Sequence, residues 1–172
     1  MLIPRNCRLA TREDLAAVHA IYMHEDVVPF LGIDPVSLED FRQVFDGLLA
    51  TEAFYVALRE GAVRGFYRIN RQKGRSRHVV ILETLAVAPS EAGSGFATAM
   101  VNEAMECLRQ DGVSRVELLV EADNLRALAF YRKLGFEEEG RLRAAYKRAH
   151  QAEYVDEILM SRLFAPQATV SG

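Results

Sequence analysis

Two glycines separated by one serine, Gly93 and Gly95, follow the apolar run 82–88 and precede a stretch from Phe96 in which Met100, Ala104 and Leu108 recur at helical spacing. The run is short enough for a buried strand, and Pro89 closes it by removing an amide donor and fixing φ. Glycine lacks a Cβ, tolerates φ > 0 and lets a ligand come close to the backbone. A helix opening near Gly95 adds unpaired amide hydrogens and the positive end of its dipole. The segment Ala92, Gly93, Ser94, Gly95, Phe96, Ala97 and Thr98 therefore suits a phosphate or diphosphate, with the Thr98 hydroxyl as a further donor. A strand-to-helix turn with two glycines is also a common plain connection, so its chemical meaning depends on what the chain supplies downstream.

The elements that would position this loop are those of one domain, expected over residues 1–165 with a frayed tail at 166–172. Of the 172 residues half are hydrophobic and 26% are charged, the composition of a globular chain rather than a disordered one. A net charge of -3 gives no general drive toward nucleic acid, and the basic stretch 71–77 (RQKGRSR) has no interleaved aromatics, so it reads as a solvated turn. No apolar run approaches the ~20 residues that span a bilayer, and the N-terminal residues lack the apolar core of a secretion signal. A cytoplasmic protein without membrane or nucleic-acid partners is expected. Cys7 and Cys107 have no CxxC spacing and read as reduced thiols, and His19, His24, His78 and His150 show no metal-binding spacing, so no metal is expected.

In chain order, a short strand starts at Arg8, and Thr11 with Asp14 imitates a capping box before a first helix that runs to about His24. Residues 25–36 contain Pro29, Gly32 and Pro35 and read as an irregular connection. Ser37 with Asp40 caps a second helix through Leu49. Residues 54–59 and 63–69 form a hairpin about Glu60-Gly61, and 78–88 is the strand before the glycine loop. After the central helix come a strand over 115–121, a helix that Asn124 begins and Gly135 closes, and two more strands, from Phe136 and over 153–164. This predicts an α/β (α+β mixed) fold, a central and mostly antiparallel mixed sheet of about seven strands flanked by about four helices.

The opening RLATREDL, the strand-loop-helix LAVAPSEAGSGFATAMV and the segment NLRALAFYRKLGFEEEGRLR resemble, in order and spacing, successive blocks of the GNAT superfamily of acyl-CoA-dependent N-acyltransferases. The third is the most specific, since an Asn, an Ala three residues on, a Tyr seven on and Lys-Leu-Gly-Phe rarely coincide. The resemblance covers nearly the whole chain, and EYVDEILMSRLF resembles the closing strand of members that act on small molecules. One departure stands out: the family usually has Arg or Gln three residues before the first glycine of a Gly-x-Gly/Ala pair, where this chain has Ala92 or, in the other register, Ser90.

The resemblance implies acetyl-CoA as co-substrate, bound by the loop and by backbone groups of Leu85, Ala86 and Val87 on a strand splayed from its neighbour, with the Val87 amide near the oxyanion. It implies Tyr131 as the general acid at the cofactor sulfur; a phenol with pKa near ~10 is protonated at neutral pH. It also puts Asn124 at the pantetheine amide, although that residue equally suits an N-cap. For the base, strand alternation sets Glu83 and Val87 on one face about 13 Å apart, which requires an intervening water. Glu83 is otherwise a satisfied polar residue of the sheet, and Tyr154, His24 or bulk water are alternatives.

The expected activity is acetyl transfer to the primary amine of a small molecule such as an amino acid, by direct attack. Acetylation of a protein amine and a non-catalytic CoA-binding regulator are the alternatives. A dinucleotide-binding oxidoreductase fits less well, because Thr98 stands where that fingerprint wants a third glycine. Residues 25–36, the hairpin ends with Tyr67 and Arg68, and the turn 143–152 are the expected acceptor-binding segments. In or beside them His24, Glu25 and Asp26 are candidates for an amine cation, and Arg141, Arg143 and Arg148 for a carboxylate. A homodimer stays open, depending on whether apolar side chains of the last strand are exposed.

Overall fold

The structure, a computed structural model, describes residues 6–148 and 151–165; His150 and the expected tail at 166–172 lie outside them. Among the described residues seven strands run in the spatial order β1-β2-β3-β4-β5-β7-β6. They are β1 (Cys7–Leu9), β2 (Phe54–Arg59), β3 (Ala62–Arg71), β4 (Val79–Val87), β5 (Arg115–Glu121), β6 (Glu137–Tyr146) and β7 (Val155–Leu163). Only β4 and β5 pair in parallel; the other neighbours are antiparallel. The helices are α1 (Leu15–Tyr22), α2 (Leu38–Ala50), α3 (Phe96–Gln110) and α4 (Leu125–Lys133). This is the mixed, mostly antiparallel sheet with four helices that the sequence predicts.

Local chemistry sets the boundaries. The Asp14 carboxylate accepts the Thr11 amide at 2.8 Å and is gripped by Arg8, but the first turn it caps is a tight 3-10 turn at Arg12–Asp14 before α1 begins. α1 stops at Tyr22, not His24. The Ser37 hydroxyl accepts the Asp40 amide at 3.1 Å to open α2, and the Asn124 side chain accepts the Ala127 amide at 3.1 Å to open α4. Strand β3 reaches Arg71, so the basic stretch shrinks to a 3-10 turn at Gly74–Ser76.

The sheet carries a core on each face. On one, α3 and α4 cover Tyr55, Tyr67, Val80, Leu82, Val116 and Leu118; on the other, α1 and α2 cover Phe54, Val56, Phe66 and Ala86. Gly65 of β3 sets the distance of α3, since a Cβ there would lie 3.0 Å from the Ala86 carbonyl and 3.1 Å from the Met100 sulfur. Along β4 the two faces exchange partway. Val80 and Leu82 belong to the α3 side, whereas Ala86 belongs to the α1 side and Leu85 and Val87 pack toward α3. A bulge causes this: Arg68 pairs with Glu83 but Phe66 pairs with Ala86, and Thr84 takes the left-handed φ of 48°. The expected alternation from Glu83 to Val87 is therefore broken, and the two side chains lie on opposite faces.

Candidate active site

The parallel ladder between β4 and β5 is short, running from Val79↔Arg115 to Ile81↔Glu117, although both strands continue beyond it. Past Ile81 they part. The Ala88 amide donates to the Arg64 carbonyl at 2.7 Å. By strand alternation the backbone of Val87 and Leu85 then turns the other way, into the opening on the β5 side.

At the end of β4 the chain makes a 3-10 turn at Pro89–Glu91 and reaches α3 through Gly93 (φ 72°) and Gly95 (φ 81°), both left-handed. A Cβ at either glycine would meet no protein atom within 4 Å, so the loop faces open space. Among the described residues no carbonyl accepts the amides of Ala97 and Thr98 in the first turn of α3, which leaves them as free donors. The Phe96 amide is different, because the Ser94 hydroxyl accepts it at 3.2 Å, and the Phe96 ring is buried. Ser94 also donates to a Glu91 carboxylate oxygen at 2.9 Å, and Arg59 at the end of β2 reaches the same oxygen at 2.5 Å. Glu91 is 7% exposed, a carboxylate buried under the glycine turn and paired with Arg59, whose guanidinium lies 5.2 Å from the Phe96 ring centre. Ala92 itself is exposed and adds no polar group. Sequence reasoning placed Ser94 in the loop but missed its link to Glu91 and Arg59, since Arg59 sits more than thirty residues before the loop and no local pattern joins them.

Tyr131 lies on the buried side of α4, with Phe130 and Phe136 edge-on at 5.1 and 5.6 Å. Burial pushes its phenol above the ordinary value, so it stays protonated at neutral pH. It belongs to the core on the α3 side, the side from which Leu85 and Val87 also pack. Asn124 uses its side-chain oxygen for the cap already described.

The residues expected on the acceptor side separate. Glu83 forms an ion pair with Arg68 and accepts a hydrogen bond from Asn70 at 3.1 Å, all three facing α1 and α2. Tyr67 does not join them: it is 1% exposed on the opposite face, its ring stacked on Tyr55 at 5.3 Å, because the neighbouring position in β3 takes the other side of the pleat. The His24 ring nitrogen accepts the Asp26 amide at 3.2 Å, so that cluster closes on itself. Tyr154 is exposed with Lys147 over its ring. Arg141 pairs with Asp156 at 2.7 Å, and Arg148 pairs with both oxygens of Asp123 at 2.7 Å.

The irregular segment after α1 and the turn after β6 do meet, walling a cavity of about 380 Å³ lined by Val28, Gly32, Ile33, Tyr146, Arg148 and Gln151 among others. Arg148 stacks over Phe30 at 5.3 Å at its edge. Among the described residues no group of three metal-binding side chains comes together, and no helix is long and apolar enough to cross a membrane. Both cysteines are free thiols, and burial pushes Cys7 up to about 12, which keeps it unreactive.

Residues 10–136 match a family model described as the acetyltransferase (GNAT) family. Over 91 residues the chain is 41% identical to a mycothiol acetyltransferase of Brachybacterium faecium, covering 52% of this chain and 28% of that protein. The chain thus matches less than a third of that relative's length. Among solved structures, it resembles a ribosomal-protein-alanine N-acetyltransferase from Brucella melitensis with a TM-score of 0.73 and 28% identity, over 92% of this chain and 99% of the other. A phosphinothricin acetyltransferase from Sinorhizobium meliloti, solved in complex with AcCoA, shares the fold with a TM-score of 0.71 and 24% identity, over 96% of this chain and 94% of the other.

Proposed function

The chain belongs to the acetyltransferase (GNAT) family, and from that premise we propose that it moves an acetyl group from acetyl-CoA to the primary amine of a small molecule, such as an amino acid. In this reading residues 1–165 act as one catalytic domain in the cytoplasm. The observation that carries it is the open glycine turn at the start of α3, beside two strands that part just where their backbone groups become free.

The diphosphate is held by amides of Gly93, Gly95, Ala97 and Thr98, with Ala92, Ser94 and Phe96 shaping the turn. Leu85, Ala86 and Val87 carry the pantetheine arm along the opening, with the Val87 amide toward the thioester oxygen and Asn124 at the arm's far side. Tyr131 gives its proton to the departing sulfur; a phenol whose proton burial retains is a donor across the neutral range. Glu83, tied to Arg68, gives the acceptor side a fixed charge pattern. The half-open cavity that residues 28–35 form with Tyr146, Arg148 and Gln151 favours a small acceptor. A protein N-terminal amine is the second reading, favoured by the likeness to the ribosomal-protein-alanine enzyme along nearly all of its length.

Thermal-shift assays with acetyl-CoA, CoA and NAD test the cofactor; stabilisation by NAD alone would end the proposal. Release of CoA thiol in a panel of L-amino acids, spermidine, phosphinothricin and an alanine-ended peptide then tests the acceptor. Turnover with the peptide alone would transfer the assignment to protein amines, and binding of acetyl-CoA with no turnover at all would leave a regulator.

A further inference from the structure

The last residue of β5, Glu121, is an acid where the core should have nothing charged. It is 7% exposed, and among the described residues no side chain donates a hydrogen bond to it or pairs with it. Its side chain leaves the sheet on the face opposite Val120, which packs into the α3-side core, so Glu121 faces the acceptor side. Directly across the antiparallel ladder stands Glu157 of β7, on the same face. Two carboxylates at cross-strand positions are ordinarily destabilising, and neither acid is relieved by a cation in contact with it.

The level along the sheet matters as much as the face. Glu121 lies four residues beyond the last β4–β5 pair, Ile81↔Glu117, as Leu85 does on the other strand. The bulge at Thr84 brings Ala86 close to the same level. Glu83 is only two residues beyond that pair, about 7 Å short of this level. Glu121 thus flanks the opening at the stretch that carries the thioester, while Tyr131 reaches it from the other face.

We propose that Glu121 is the base that takes the proton of the acceptor ammonium, and that Glu157 helps to hold that ammonium beside it. The inference rests on the acetyltransferase reading above. The acceptor is then an amine that arrives protonated. Its N–H proton passes to the Glu121 carboxylate, and the freed electron pair forms the bond to the thioester carbonyl carbon. The carbon–sulfur bond breaks, its electron pair stays on sulfur, and the thiolate takes the Tyr131 proton. The second ammonium proton leaves the new amide nitrogen and restores the tyrosine through water, while Glu121 releases its own to solvent, so one proton is lost per turnover.

The charged groups facing Glu121 are Arg148 from the turn after β6, Glu157 from β7 and Asp123 just after β5, with the Tyr146 phenol nearby. Burial first, then Glu157 and Asp123, raise Glu121 above the ordinary carboxylate range against the pull of its own amide and of Arg148. A carboxylate raised in this way accepts a proton more readily near neutral pH.

The test uses the full chain, acetyl-CoA and the best acceptor of the amine panel. Glu121→Gln should lower kcat/KM about a hundredfold at pH 7 while keeping the thermal shift with acetyl-CoA, and should move the acidic fall in rate upward, to the ionisation of the acceptor amine itself. Glu121→Asp should retain that fall. Glu157→Gln should move it to lower pH, because removing a like charge lowers the pKa of its neighbour. An acidic fall unchanged in Glu121→Gln, or unmoved in Glu157→Gln, overturns the inference while leaving the acetyltransferase reading intact. Should Glu121→Gln not fold, Glu121→Asp and Glu157→Gln decide. A wild-type protein that binds acetyl-CoA and acetylates none of the panel overturns both.

Discussion

Removing the Tyr131 hydroxyl changes one buried oxygen and leaves the ring contacts with Phe130 and Phe136 in place. Tyr131→Phe is expected to lower turnover at least tenfold, about 1.4 kcal/mol of barrier, with acetyl-CoA affinity nearly unchanged. Steady-state kinetics beside a CoA titration checks this, and undiminished turnover would strike Tyr131 from the mechanism. Arg59 is a residue of another kind, since its work is to neutralise Glu91 under the glycine turn. Arg59→Ala should destabilise the fold by roughly 1–3 kcal/mol, because it strands a buried carboxylate. Adding Glu91→Gln should recover part of that loss, which urea denaturation of the single and double variants would measure. Had the pair no coupling, the two effects would simply add. The place of Tyr131 on the buried side of α4 was legible in the sequence because its neighbours there form a dense local pattern. The burial of Glu121 was not, since its carboxylate neighbour comes from β7, more than thirty residues away.

Among the elements, the contact of α3 with the sheet rests on one missing side chain. Gly65→Ala would drive a methyl group into the Ala86 carbonyl and the Met100 sulfur, at an expected cost of about 1–3 kcal/mol. A melting temperature equal to wild type would show that α3 can shift without penalty. The junction of β1 with α1 gives a pH effect. Burial tends to raise Asp14, but its hydrogen bonds with Arg8 and the Thr11 amide outweigh this and hold it below the ordinary carboxylate range. With the folded value depressed, its contribution is complete above the unfolded carboxylate pKa of ~3.9 and fades as pH falls through the lower folded value. Asp14→Asn should therefore lose stability at pH 7 and show a shallower decline below pH 4, as thermal melts across pH would record. Most element positions were readable from caps, glycines and alternation, with Arg115–Glu121 and the cap at Ser37 as clear cases. The bulge was not. Threonine is β-branched and disfavours a left-handed φ, so local propensity argues against a break at Thr84, and the pairing with β3 imposes it.

At the scale of the whole molecule, two cores share the strands β2, β3 and β4, one core on each face. Neither can loosen without exposing the back of the other, so urea unfolding should be one transition, with far-UV and near-UV circular dichroism superimposed. Separate midpoints would mean that the faces melt independently. The covering is uneven: the core under α1 and α2 draws on no residue of β5, β6 or β7, and Leu119 and Leu142 stand 46% and 43% exposed. The order β5-β7-β6 could not be read from the sequence, in which β6 precedes β7 and nothing local says that the later strand inserts between the two earlier ones. That insertion has a consequence for how the protein is born. As the chain leaves the ribosome, residues 137–146 emerge with their partner strand β7 not yet synthesised, and they must wait, unzipped, until 155–163 arrive to bridge them to the finished part of the sheet. A premature stop before Val155 would thus cost two strands instead of one.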